Sequence, residues 1–315
     1  KPRNARQVRA NRAASTVSTQ LYAAHSVLSS GKWAKIRVPA NGIYNLTADV
    51  VRRAGFSDLS KVRIYGYGGN LQNEKISSAY LKEFDDLKEV PSCLIGGKRL
   101  FYGRGPVSWD SNTAVVRTRN HYSDYGYYFI TESTEAPLTI DADAFLASVY
   151  PTADDYHSLH EVENYSWFPG GRRFFENTPI PLGKSQTYTF KNETKATNRT
   201  FAIGVSAGKG RTTVQVEVNG AKKDELKLYT GEFDFGAEVE RIYTLAGQND
   251  VDSIKITTLS GGPARLDYVS MTYDKPRSAP NLAEGTFPVP EYVHNITNQD
   301  LHSHTPVDLV IIIPT

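Results

Sequence analysis

The chain has 315 residues, of which 39% are hydrophobic and 22% charged, enough length for two hydrophobic cores rather than one. Its 36 basic and 34 acidic residues leave a formal charge of +2, which argues against a broad nucleic-acid-binding surface and allows only a local basic patch. No apolar run reaches the ~18 residues of a membrane-crossing helix, and with Cys93 as the single cysteine no intrachain disulfide can form.

Residues 1–30 read as a leader or arm. "KPRNARQVRANR" carries five basic residues and no acid, which suits either contact with an anionic surface or a solvated terminus. Structure is expected from Gly31. Ala34, Ile36 and Val38 alternate with Lys35 and Arg37, the pattern of a half-buried strand. Pro39 to Gly42 supply turn chemistry, and Ile43 to Leu46 read as the return strand. Thr47 can cap a short helix with Val50, Val51 and Ala54 as its apolar stripe and Gly55 as its stop. Val62 to Tyr65 begin another strand, closed by Gly66, Gly68 and Gly69. The aromatic-rich runs "RLFYG", "AVVRTR" and "YGYYFIT" complete a small α+β domain over 31–150.

Residues 151–180 are more polar, with "DYHSLHEVENYSWF", and read as a connecting segment that is helical in part. From 181 to 276 the runs "QTYTF", "TFAIGVSA", "TTVQVEV", "RIYTL", "SIKITTL" and "LDYVSMTY" alternate cleanly between turn residues, and Asn219-Gly220 is a hairpin signal. That spacing without intervening helices implies a jelly-roll-like β-sandwich. Prolines 276, 280, 288 and 290 mark 277–306 as a linker. The last residues, 307–315, contain the unbroken β-branched run Val310 to Ile313, typical of a strand buried on both faces. The fold class expected is therefore mainly β: a small α+β domain, then a jelly-roll-like sandwich, then a single buried strand.

Chemistry is sparse. Cys93, in "VPSCLIGG", would need an activating base to act as a nucleophile, and a buried structural thiol is the better reading. His157 and His160, beside Glu161 and Glu163, would share a helix face, and His302 and His304 a strand face, but neither set shows the ligand spacing of a metal site; a solvated helix or inter-domain contact is the better reading of the first and a linker of the second. "YGYGGN" and "SAGKGRTT" fall short of phosphate cradles and read as turns. Trp33, Trp109 and Trp167 suit either sugar-stacking platforms or core and interface packing. Asn45, Asn164, Asn192, Asn198 and Asn295 stand in Asn-x-Ser/Thr triplets, which matter only in a glycosylating compartment. No catalytic, cofactor-binding or metal-binding residue is assigned, and no cofactor is expected.

Three segments carry a resemblance. "SGKWAKIRVPANGIYNLTADVVRRAGFSDLSKVRIYGYGGN" resembles the start of gingipain-type surface peptidases, in particular sortase-like proteins of the type IX secretion system of Bacteroidetes. Gly31, Trp33, Gly42, Ile43, Tyr44, Tyr65, Gly66, Gly68 and Gly69 fit its pattern, and Ala34 replaces the usual aromatic. "LDYVSMTYDKP" is similar to the last sandwich strand of that group, and "NITNQDLHSHTPVDLVIIIPT" to the approach to its caspase-like peptidase domain. The resemblance implies that 307–315 is the first strand of a caspase-like α/β domain that continues beyond Thr315, with the catalytic His and Cys there. It implies an exported chain at the outer membrane or cell surface. Its partners would be that peptidase domain, with secretion-system or outer-membrane proteins besides, and no nucleic acid. A surface adhesin or carbohydrate-binding sandwich is the alternative.

Overall fold

The computed structural model describes residues 22–110, 113–139, 153–169, 171–192, 195–276 and 293–296. The leader up to residue 21, His302, His304 and the strand expected at 307–315 lie outside the described residues. In chain order the first unit holds β1 (Ala34–Val38), β2 (Gly42–Leu46), α1 (Ala48–Arg53), β3 (Val62–Gly68), α2 (Ser78–Glu83), β4 (Ser92–Ile95), β5 (Lys98–Gly103), β6 (Val107–Trp109), β7 (Arg117–Arg119) and β8 (Gly126–Glu132). The second holds β9 (Ala153–Glu161), β10 (Ser185–Lys191), β11 (Asn198–Gly208), β12 (Arg211–Val218), β13 (Ala221–Tyr229), β14 (Gly236–Ala246), β15 (Val251–Ser260) and β16 (Ala264–Pro276), and β17 (Val293–Ile296) follows. The mainly-β expectation holds.

The first unit is built on two facing sheets, in the orders β1-β8-β3 and β17-β2-β5-β4. Ile36 and Val38 of β1 meet Tyr44 and Leu46 of β2 across one core, with Ile64, Phe101, Tyr128 and Ile130. β1 and β2 follow one another but do not pair, so Ile43 to Leu46 is not a hairpin return. The turn is held elsewhere: Asn41 donates to the Val107 carbonyl (2.9 Å) and accepts from Gly105 N–H (2.8 Å), and Tyr44 Oη donates to the Ala40 carbonyl (2.7 Å). These bonds send β2 to the opposite sheet. Helix α1 starts as its sequence predicts, Thr47 Oγ1 accepting from Val50 N–H, and it buries Val50 and Val51. Six residues are too few for a stable helix alone, so packing holds it.

Gly126 marks the tightest backbone approach in this unit. A Cβ there would lie 2.0 Å from the Arg104 carbonyl oxygen and 2.8 Å from the Gly69 nitrogen, which are themselves hydrogen-bonded at 2.9 Å. Gly126→Ala is expected to break that bond and lower stability by about 1–3 kcal/mol, read as a lower urea midpoint.

The second unit is a sandwich of two four-stranded antiparallel sheets, β10-β15-β12-β13 and β14-β11-β16-β9. Val214, Val216 and Val218 of β12 face Phe201, Ile203 and Val205 of β11 in its core. Asn219 and Gly220 adopt φ of 52° and 77° in the β12–β13 turn, which suits the twist of a two-residue hairpin.

Two segments differ from the sequence reading. Residues 153–161 are a strand and not a part-helical connection: β9 pairs with β16 from Ala153↔Pro276 to Glu161↔Tyr268. Leu159 and His160 point to opposite faces, each against protein, which hides the usual in–out alternation. Residues 293–296, within the expected linker, form β17, parallel to β2. Ile296 is buried in the first unit's core, and its carbonyl accepts from Thr47 Oγ1 at 3.3 Å. The chain therefore leaves the sandwich and returns to the first unit.

Candidate functional site: the seam between the two β units

Strands β6 and β7 form a two-stranded ribbon, pairing Val107↔Arg119 and Trp109↔Arg117. The ribbon and its turn lie on the outer face of the β14-β11-β16-β9 sheet. Val115 and Val116 pack on Ala202, Tyr268 and Leu159. Ser270 Oγ donates to the Val115 carbonyl (2.5 Å), and His157 Nε2 lies 2.6 Å from the Ala114 carbonyl. Trp109 stacks on the His157 ring at 4.3 Å, 16° from parallel. This explains why β11 is buried on both faces.

Charge completes the seam. R-x-R on β7 puts Arg117 and Arg119 on one face. Arg117 Nη2 lies 2.5 Å from Glu161 Oε1 and 2.7 Å from Asp267 Oδ1, and its guanidinium covers the Tyr268 ring at 4.1 Å. Arg119 reaches Glu161 Oε2 (3.3 Å), Glu163 Oε2 (2.9 Å) and the exposed Asp124 (2.9 Å). The Glu161 side chain is only 1% exposed. Burial, reinforced by the Glu161 charge, pushes Glu163 up to about 7. Burial likewise pushes Asp267 up to about 6, with Glu161 adding and Arg117 opposing. Beside the network opens a polar cleft of ≈ 310 Å³ lined by Arg119, His121, Tyr122, Asp124, Glu163 and Phe174, among others. Burial, with Arg173 and Arg117, lowers the His121 pKa.

The structure separates most residues singled out from sequence. His157 and His160 sit on opposite faces of β9, His160 facing Glu176 at 3.2 Å on the other side. Glu161 and Glu163 are held by arginines. No group of three or more metal-ligating side chains occurs among the described residues. Cys93 is half-buried, and burial raises its thiol pKa, which disfavours the thiolate. Trp33 is buried edge-on against Tyr65 at 5.2 Å. Half-buried Trp167 donates to Ser206 Oγ and fills the space over Gly208 and Gly236. None of the three tryptophans is an exposed platform. Asn45 and Asn192 are buried, whereas Asn164 and Asn198 are exposed. No helix among the described residues is long and apolar enough to cross a membrane. Asp267, Arg117 and Arg119 were not singled out from sequence. The signal was there, since R-x-R and E-x-E each place like charges on one face and call for an opposite partner.

This pair of β-rich units has a counterpart among solved structures, in a protein of PorU/gingipain type. The likeness is to the solved structure of dimeric latent PorU from Porphyromonas gingivalis, with a TM-score of 0.62 and 26% identity over 80% of this chain and 25% of that one. The chain thus spans about a quarter of PorU's length. Family 35 carbohydrate-binding modules also align. One from an environmental isolate gives TM-score 0.26 at 18% identity, covering 42% of this chain and 96% of that one. One from Clostridium thermocellum gives 0.25 at 17%, covering 38% and 90%. Scores this low bear on neither fold nor function. No family model matches the chain, and no curated protein matches it significantly.

Proposed function

We propose that this chain is the non-catalytic N-terminal region of an exported gingipain-like cysteine peptidase of type IX secretion context, acting at the outer membrane or cell surface. The observation that carries this is the 26% identity to PorU at TM-score 0.62 over 80% of the chain. Its role is support. Two β units are clamped by a buried charge network, and β17 brings the chain back onto the first unit before it runs on. The peptidase unit of the same polypeptide is its main partner, and secretion-system or outer-membrane proteins are further partners. Catalysis resides in that later unit, by thiolate attack with a histidine base. Cys93, with its raised pKa, has no part in it. Carbohydrate binding is the weaker reading, because the tryptophans that would stack on sugars are occupied by protein contacts.

The test is the complete polypeptide expressed with and without residues 1–276. Removal is expected to lower the thermal midpoint of the peptidase unit by several degrees and to raise its aggregation. A polypeptide that continues into no α/β unit bearing a His–Cys pair overturns the reading. So does a deletion that leaves melting and peptide cleavage unchanged.

A further inference from the structure

The seam does not balance its charges. Glu161, Glu163 and Asp267 bring three carboxylates to two guanidiniums, those of Arg117 and Arg119. All five side chains are at most about a fifth exposed, so water screens the excess negative charge poorly. The neighbours on every side do not correct it. On β14, Glu238 is engaged by Arg173 at 2.9 Å, and Glu240 accepts from Tyr268 Oη at 2.5 Å. From the loop after β7, exposed Asp124 adds a further carboxylate on Arg119, and His121 faces the same cleft. On β9, His157 lies under Trp109 and against the Ala114 carbonyl. One bound proton brings the three carboxylates to parity with the two arginines.

We propose that the seam is a proton-operated latch: uptake of one proton by the Glu161–Glu163–Asp267 set locks the β6–β7 ribbon onto the sandwich, and its release loosens the ribbon. The sign follows from linkage. A carboxyl whose pKa is raised in the docked state stabilises that state at low pH, and the stabilisation is lost as pH rises through the docked-state value. For Glu163 that value is about 7, and for Asp267 about 6. Mild acidification therefore tightens the seam, and mildly alkaline conditions loosen it. Glu163 is the main proton acceptor, as the less enclosed of the two and the one that titrates higher.

The test is amide hydrogen exchange of the ribbon, residues 107–119, in the intact chain at about pH 6 and about pH 8, corrected for the intrinsic rate. Protection is expected to fall by about tenfold over that interval, the change set by one group titrating near neutrality. E163Q keeps an acceptor for Arg119 without the charge, and is expected to hold the high protection at both pH values. D124N, on the exposed rim, is expected to keep the wild-type pH slope. Exchange of β12 and β15 in the sandwich core serves as the internal check that each variant is folded. Ribbon protection independent of pH, or an E163Q slope equal to wild type, overturns the proposal. Should E163Q fail that check, D267N takes its place and is expected to reduce the slope.

Discussion

Asp252→Ala is expected to lower the stability of the sandwich by about 3–5 kcal/mol, more than any surface substitution. Asp252 and Arg199 are both fully buried and meet fork to fork, Nε to Oδ2 at 2.6 Å and Nη2 to Oδ1 at 2.9 Å. Asn219 and Asn249 also donate to Oδ1, and Arg199 Nη1 donates to the Ala196 and Gly247 carbonyls. The pair thus ties β11 and β15, which lie in opposite sheets, at one end of the core. Removing the carboxylate leaves a guanidinium buried and unpaired, which is the costly event. Burial alone would raise the Asp252 pKa, but the bonds from Arg199, Asn219 and Asn249 outweigh it and hold the pKa below the usual carboxylate value. Its stabilising contribution is therefore present above the unfolded value near ~4 and lost as pH falls through the folded one. The double variant R199M/D252L removes both charges together and is expected to recover most of the loss, because no uncompensated ion remains. Urea unfolding followed by circular dichroism reads both outcomes.

Much of the sandwich was legible because its strands are specified locally. Val214, Val216 and Val218 alternate with Thr213, Gln215 and Glu217, and Asn219-Gly220 fixes the turn that follows. Helix α1 was legible for the same reason, with its cap and its stripe inside one short window. β9 was not, because its edge partner β16 and the packing on both its faces, the ribbon on one and Tyr188 and Glu176 on the other, come from distant segments. β17 was not, because four residues after two prolines gain their strand only by parallel pairing with β2, more than two hundred positions earlier in the chain. The charged seam was half visible. Glu161 and Glu163 stand beside His157 and His160 in the sequence as one helix face, solvated or at an inter-domain contact, without the ligand spacing of a metal site. On a strand the histidines part company, and the carboxylates turn toward arginines of another unit. Arg199 and Asp252 occupy positions that alternation would assign to the core, and single polar residues there carry no pattern a linear reading can match.

Arg117→Met is expected to uncouple the two units. It leaves Glu161, Glu163 and Asp267 around Arg119 alone, so the excess negative charge in a desolvated seam doubles from one to two. It also strips the cation from the Tyr268 ring, while Met fills much of the same volume, so the effect reports charge rather than a void. The expected cost to docking is about 3–5 kcal/mol. The sandwich should survive, since its core of Phe201, Val205, Val216 and Met271 lies on the far side of the sheet from Arg117. Calorimetry is therefore expected to show one wild-type transition splitting into two, the sandwich retaining the higher midpoint. R117M/E161Q restores one cation to the two remaining carboxylates, the excess of the wild type, and is expected to bring the transitions back toward one. A single unsplit transition in R117M would mean that the apolar contacts of Val115 and the Trp109–His157 stack hold the units together without the charges. A split that E161Q does not reverse would mean that the Arg117 hydrogen bonds matter for their geometry rather than for the charge they balance.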